Sequence, residues 1–445
     1  MSQEQIMAMW ARRRIQRYLE ENSAFVSQST LHDWVQRLNT ISDHYVAIEW
    51  EVALLNGFAT VGTVQHEPAL GEKRIDLVFT SSNRKLSFAA DIATISDQQL
   101  HRENPVEAFS EELGRRARKT NIRTGGFSFH VGEKRQPTHL GSGNQRSLLL
   151  PAMSGFGPYI FNSGWEDFIR LVKSKPDKSH EYTAREKNPA VLVSIAYHPG
   201  NFGVFQGQHG SYTGATVVDD NPLFNALKVK ARQLKKSGYT GPSGIIICDG
   251  GCRMLTSWPD WSTYSMAQVV AEFLRQHGSV EFVSIIAIKQ GSHWGRNEYV
   301  YDPKCFVPKR SRLSGTDLGG LIAEVVHGLP PIQLTPENAV RVMKWKKSGK
   351  YGLLGGWSVG GNKVKISARD LLALMAGRLD QERFVKGYAT GGANFFDLRL
   401  KRGELITSAT VEHIPDEDDD WITFEFGEPD PAVAPFSEPT SKVKR

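Results

Sequence analysis

Asp91 is an acid in an apolar place. It lies in Leu86-Ser-Phe-Ala-Ala-Asp-Ile-Ala-Thr-Ile95, where side chains alternate between the two faces of a strand. Phe88, Ala90 and Ile92 point one way; Ala89, Asp91, Ala93 and Ile95 point the other. Both faces are apolar, the pattern of a strand in the middle of a sheet. A carboxylate there is costly unless it meets a cation or a metal. Asp76 lies upstream in Arg74-Ile-Asp-Leu-Val-Phe79, across the polar turn Ser81-Ser-Asn-Arg84. One ladder of a hairpin can set Asp76 beside Asp91. The spacing of Tyr45, Ile48, Val52 and Leu55 predicts a helix over 43–56 that ends at Gly57. Glu51 borders that stripe, and Glu49 sits further round. Two or three carboxylates about one point make a hard, oxygen-rich site suited to Mg²⁺ or Mn²⁺. Such a metal polarises a phosphodiester and activates water. The plainer alternative has Asp76 at a strand end near solvent, Glu51 on a helix surface, and Asp91 paired with an arginine.

A basic helix and a buried strand are placed to complete the layer. Leu223 to Lys236 carries Phe224, Leu227, Ala231 and Leu234 as a buried stripe, with Lys228 and Lys230 flanking it. Gly244-Ile-Ile-Ile-Cys248 follows as a strand. Met266 to Gln276 and Phe282 to Ile288 repeat the helix-then-strand order, which is the signature of an α/β sheet. An ordinary surface helix with snorkelling lysines would read the same way.

The order helix acid, strand acid, strand acid resembles the PD-(D/E)XK, or restriction-endonuclease-like, nuclease superfamily over residues 43–97. That family has a Glu on its first core helix, an Asp on one strand, and an (Asp/Glu)-x-Lys on the next. Glu51 (or Glu49), Asp76 and Asp91 match the acids, but Ala93 stands where the family keeps its lysine. The helix 223–236 is similar to the family's second core helix, onto which some members move the lysine. The resemblance therefore implies Lys230 or Lys228 as the replacement, with Gln233 beside it. Lys119 is the alternative if residues 100–220 supply the next core strand and 106–120 the core helix. It further implies an α/β fold, with a mixed sheet flanked by helices and a large insertion near 100–220. The implied activity is Mg²⁺-dependent hydrolysis of nucleic acid, DNA foremost, in a defence or DNA-processing role. Glu51, Asp76, Asp91 and Lys230 would be catalytic, with metal on Asp76 and Asp91. The missing strand lysine leaves open an inactive nuclease fold that binds nucleic acid or acts as a scaffold. Residues 126–215 leave open a protein-interaction module.

The chain has 445 residues, which predicts two or three domains. They are expected at 1–42 (helical), 43–328 (core with insertion) and 332–427 (a small α+β domain after Pro330-Pro331), with a disordered tail over 428–445. No apolar run of about 18 residues exists to cross a bilayer. Three cysteines cannot build a disulfide framework, so a reducing cytoplasm is expected. A net charge of +6 permits a polyanionic partner without requiring one. The N-terminal Arg12, Arg13, Arg14 and Arg17 could touch phosphate or simply face water. Thr335-Pro-Glu starts a helix to Lys347 that carries Arg341, Lys344, Trp345, Lys346 and Lys347. Bases interleaved with aromatics suit nucleic-acid backbone and unpaired bases; a solvated basic face on a small domain is the alternative. A protein partner or a homo-oligomer is compatible with all of this. Residues 132–157 read as a loop, and Phe395 to Glu412 and Trp421 to Phe426 as strands.

Overall fold

The computed structural model describes the chain apart from residues 1–8, 41–43, 72–73, 138–143, 202–205, 258–262, 292–297, 348–356, 388, 391–392, 416 and 435–445. For residues 135–137, 144–146, 343–347, 357, 383, 386–387, 389–390 and 393 it describes the backbone alone. The chain divides into two compact units. One holds Glu67–Lys289 and Tyr301–Ala323; the other holds Met1–His66, Gln290–Val300 and Glu324–Arg445.

The Glu67–Lys289 unit is a mixed α/β sheet flanked by helices. Its strands run in the order Leu77–Ser81, Ser87–Ile95, Ser243–Asp249, Phe282–Gln290, Tyr299–Phe306. The first two form an antiparallel hairpin, whereas Ser87–Ile95, Ser243–Asp249 and Phe282–Gln290 are parallel. The last two of these are β-branched runs buried along most of their length, as central parallel strands must be. On one face the helices Pro222–Lys236 and Met266–Gln276 bury Leu227, Ala231, Val270 and Phe273 against Ala89, Ile245, Ile247 and Val283. On the other face Phe88 packs on Phe79 and Phe282.

Residues 106–209 build a layer of their own. Four strands, in the order His180–Lys187, Ala190–Tyr197, Phe127–Val131, Gln206–His209, share a core with the helices Val106–Lys119 and Ser163–Ser174. The strand beside Ser87–Ile95 is therefore Ser243–Asp249, with Asp91 opposite Ile245, and not a strand from 100–220. The expected loop over 132–157 contains a hairpin, Glu133–Pro137 with Asn144–Leu148. Its Gly-, Ser- and Gln-rich composition hides the pairing, which is set by the partner strand and not by propensity.

In the other unit the first three helices are Arg12–Asn22, Gln28–Leu38 and Tyr45–Val61. The third is buried on nearly all sides, with Trp50 edge-on to Trp10 at 5.0 Å. It runs through Gly57 instead of stopping there. A Cβ at Gly57 would sit 3.1 Å from Val325 Cγ1, so this glycine permits a close approach and does not end the helix. This helix packs with the two before it, and all three belong to the compact unit whose first segment ends at His66. Two of the N-terminal arginines that could touch phosphate or face water make ion pairs within the chain: Arg13 with Asp420 at 2.9 Å and Arg17 with Glu21 at 2.8 Å.

The C-terminal part carries an antiparallel sheet, ordered Trp357–Gly360, Lys363–Ser367, Trp421–Phe426, Ile406–Glu412, over a core of Val364, Ile366, Phe384 and Phe426. Phe395–Lys401 is a helix where a strand was expected. Asn394 caps it by accepting the Phe396 and Asp397 N–H groups at 2.9 and 3.1 Å, a local signal that overrides the alternating pattern. Most of the expected disordered tail, from residue 435, lies outside the described residues. No helix among the described residues is long and apolar enough to cross a membrane.

Candidate functional site

Two carboxylates and one ammonium meet at the start of the hairpin. The strand Leu77–Ser81 pairs with Ser87–Ile95 so that Leu77 faces Ala90; one step further along the same ladder, Asp76 faces Asp91. Asp76 thus precedes its strand instead of lying inside it. The two acids are cross-tied through backbone. Ile92 N–H donates to Asp76 Oδ2 at 2.6 Å, and Asp76 N–H donates to Asp91 Oδ1 at 3.3 Å.

Lys230 arrives from the helix above. Asn221 caps that helix by accepting the Phe224 N–H at 2.9 Å, with Pro222 in its first turn. Leu227, Ala231 and Leu234 fix its buried face against the sheet. Ala231 on the helix and Ala89 and Ala93 on the strand are small, which lets the helix settle close to the strand. Lys230 Nζ then donates to Asp76 Oδ2 at 3.0 Å and lies 3.9 Å from Asp91 Oδ1. Gln233, one turn on, donates to the Arg74 carbonyl at 3.0 Å and steadies the segment that leads to Asp76.

The electrostatics of the pair are uneven. Asp91 is fully buried, while Asp76 keeps 18% of its side chain exposed. Burial, and then the neighbouring Asp76 charge, push the Asp91 carboxyl up to about 7; Lys230 and the Asp76 N–H offset part of that rise. Asp91 Oδ2 is enclosed and has no hydrogen-bond partner among the described residues. An orphaned buried carboxylate oxygen beside a second carboxylate fits a hard divalent cation, which often takes one or two protein carboxylates and keeps several waters. Among the described residues no group of three His, Cys, Asp or Glu side chains is gathered to hold a metal, so such a cation would rest on these two acids.

Glu51 belongs to the other compact unit and faces His66, with Glu51 Oε1 3.6 Å from His66 Nε2. Glu49 is fully buried and accepts the Met9 N–H at 3.2 Å; burial raises its carboxyl well above the usual range. Lys228 turns toward His277, where burial and then the charges of Lys228 and Arg232 lower the imidazole. Lys119 is exposed at the end of the helix in the 106–209 layer. Arg341 pairs with Glu337 at 3.2 Å. Lys344, Trp345, Lys346 and Lys347 follow on the helix Pro336–Lys347, but their side chains lie outside the described residues.

A second pair of buried acids closes the carboxyl ends of the parallel strands. Asp249 accepts the Gly251, Cys252 and Ile288 N–H groups, and Asp97 accepts that of Arg253. Burial is the main cause that raises Asp97 to about 6. With its backbone partners, this pair ties three strand ends together. An acid just after a run of apolar strand residues, as in Ile247-Cys-Asp249, is the signal that marks it. No family model, curated protein or solved structure matches the chain.

Proposed function

We propose that the Asp76–Asp91–Lys230 site hydrolyses phosphodiester bonds of nucleic acid, DNA foremost, with Mg²⁺ or Mn²⁺ held by the two carboxylates. The observation that carries this is the unpartnered, enclosed oxygen of Asp91 beside Asp76, with an ammonium 3.0 Å from the latter. A divalent cation bound there would polarise the phosphodiester and supply an activated water. Asp76, the more open of the two acids, faces the substrate side. Asp91 supplies charge from within an enclosed setting, where electrostatic interactions are strong. Lys230 orients the attacking water and balances charge that develops on phosphate oxygens. Glu51 is assigned no step. The restriction-endonuclease-like fold is part of the same proposal, supported by the hairpin acids and by a lysine that reaches them from the next core helix.

One observation favours a second reading. Lys230 already pairs with Asp76 at 3.0 Å and lies 3.9 Å from Asp91, so the same triad can serve as a closed ion-pair cluster in a nucleic-acid-binding or scaffold subunit. Cleavage decides between them. The purified protein is incubated with single- and double-stranded DNA and RNA in Mg²⁺ or Mn²⁺, beside Asp91→Asn and Lys230→Met. Metal-dependent products that vanish in both variants support hydrolysis; no product on any substrate transfers the assignment to the binding subunit.

A further inference from the structure

We propose that the Glu67–Lys289 unit carries a phosphomonoester-binding pocket built from Thr213, Ser211, Arg253 and Ser257 at the carboxyl end of its central strand. The proposal is independent of the nuclease reading and involves none of its residues. A cavity of about 110 Å³, space for several waters, opens between three chain segments: Ser211 to Ala215, Arg253 to Ser257, and Thr263 to Ser265. The walls are held by the Tyr264 N–H, which donates to the Ala215 carbonyl at 2.7 Å. Gly214 is required there, because a Cβ would meet Thr263 Cγ2 at 2.7 Å.

The lining is rich in donors without partners. Thr213 is only 7% exposed, and its hydroxyl makes no hydrogen bond among the described residues. The exposed hydroxyls of Ser211 and Ser257 likewise make no hydrogen bond among the described residues, and the exposed Arg253 guanidinium makes neither a salt bridge nor a hydrogen bond among them, although its charge favours the ionised form of Asp97. Asp97 holds the Arg253 backbone N–H at 2.9 Å, which fixes the main chain while leaving the guanidinium available. Ser265 brings the N-terminus of the helix Met266–Gln276 to the rim, adding partial positive charge.

The lining residues come from three segments and offer three hydroxyls and one guanidinium, a set that suits a tetrahedral oxyanion. Ligands of open α/β sheets also bind beyond the carboxyl ends of the strands. Thr213 is the buried hydroxyl of the lining; a terminal phosphate has free oxygens to present to it, whereas a phosphodiester in the middle of a strand is flanked by sugars on both sides. The cavity admits one phosphoryl group, leaving the rest of the molecule outside. The monoester could belong to a mononucleotide or to the end of a nucleic-acid strand.

Titration calorimetry of the full chain tests this at constant ionic strength, with inorganic phosphate, adenosine 5′-monophosphate, and a hexanucleotide with or without a 5′-phosphate. One saturable phosphate site is expected, weakened about tenfold or more in Arg253→Met and about threefold to tenfold in Thr213→Val. Mononucleotide binding would assign a small-molecule ligand, and tighter binding of the phosphorylated hexamer a strand end; either supports the pocket. Heat no greater than that of added chloride overturns it. So do affinities unchanged in both variants, or a hydroxyl-ended hexamer that binds as well as the phosphorylated one. Should Arg253→Met unfold the chain, Arg253→Lys and Thr213→Val carry the same comparison.

Discussion

Replacing Asp91 with asparagine should stabilise the protein, and only at high pH. A carboxyl raised from 3.8 to about 7 binds its proton more tightly in the folded than in the unfolded chain. Stability therefore falls as pH rises from about 4 through about 7, and the full cost is present above that range. At about 1.4 kcal/mol per pH unit, ionised Asp91 costs the fold on the order of 4 kcal/mol. Asparagine copies the neutral acid in shape and still accepts the Asp76 N–H through its oxygen. Asp91→Asn should thus match the wild type near pH 4. By pH 9 it should gain up to about 4 kcal/mol, reduced by the loss of an oxygen facing Lys230. Urea unfolding of both proteins with a chelator present, at pH 4, 7 and 9, reads this directly as a shift in midpoint. A variant whose advantage does not grow between pH 4 and pH 9, or that is less stable at pH 9, would refute the burial argument for Asp91.

Lys230→Met has the opposite sign. It leaves two facing carboxylates without their cation and should cost up to about 3–5 kcal/mol at pH 8, less at pH 5 where Asp91 is protonated, in the same urea series. Glu49→Gln, which keeps an acceptor for the Met9 N–H, should be neutral near pH 4 and stabilising at pH 9. Glu49→Ala strands that donor and should lie about 1–3 kcal/mol below Glu49→Gln at every pH; thermal melts separate the two. If the C-terminal helix grips phosphates, changing Lys344, Lys346 and Lys347 together to Ala should flatten the salt dependence of DNA binding by about 2 log units. An unchanged slope in a filter-binding or anisotropy titration would mark those lysines as solvated surface.

The hairpin and its acids were legible because the pattern is local. Alternation over Leu86 to Ile95 fixed which face Asp91 takes, and a short polar turn left one sensible partner strand. Lys230 was legible only as one of three lysines. Choosing it requires the docking angle of its helix, set by Ala231 and the strand alanines and not by spacing alone. For Glu51, helical periodicity placed the residue on a border of the helix but could not show that His66 would face it. Gly57 misled in the same way, since a glycine that ends a helix and one that admits a neighbouring side chain look alike in sequence. Asn394, a cap placed before an alternating run, carried a local signal that the strand pattern obscured. The Arg253 pocket had no signature at all. Its donors come from three segments as far apart as Ser211 and Ser265, and none is unusual by itself.

Whether Asp76 and Asp91 together hold a divalent cation can be tested before any substrate is known. Electron paramagnetic resonance of Mn²⁺ titrated into the wild type, Asp76→Asn and Asp91→Asn counts bound and free metal. One bound Mn²⁺ is expected in the wild type, displaced by Mg²⁺, with that binding lost in each variant while the fold is retained. A wild type that leaves all Mn²⁺ free, or variants that bind it as well as the wild type does, would contradict this.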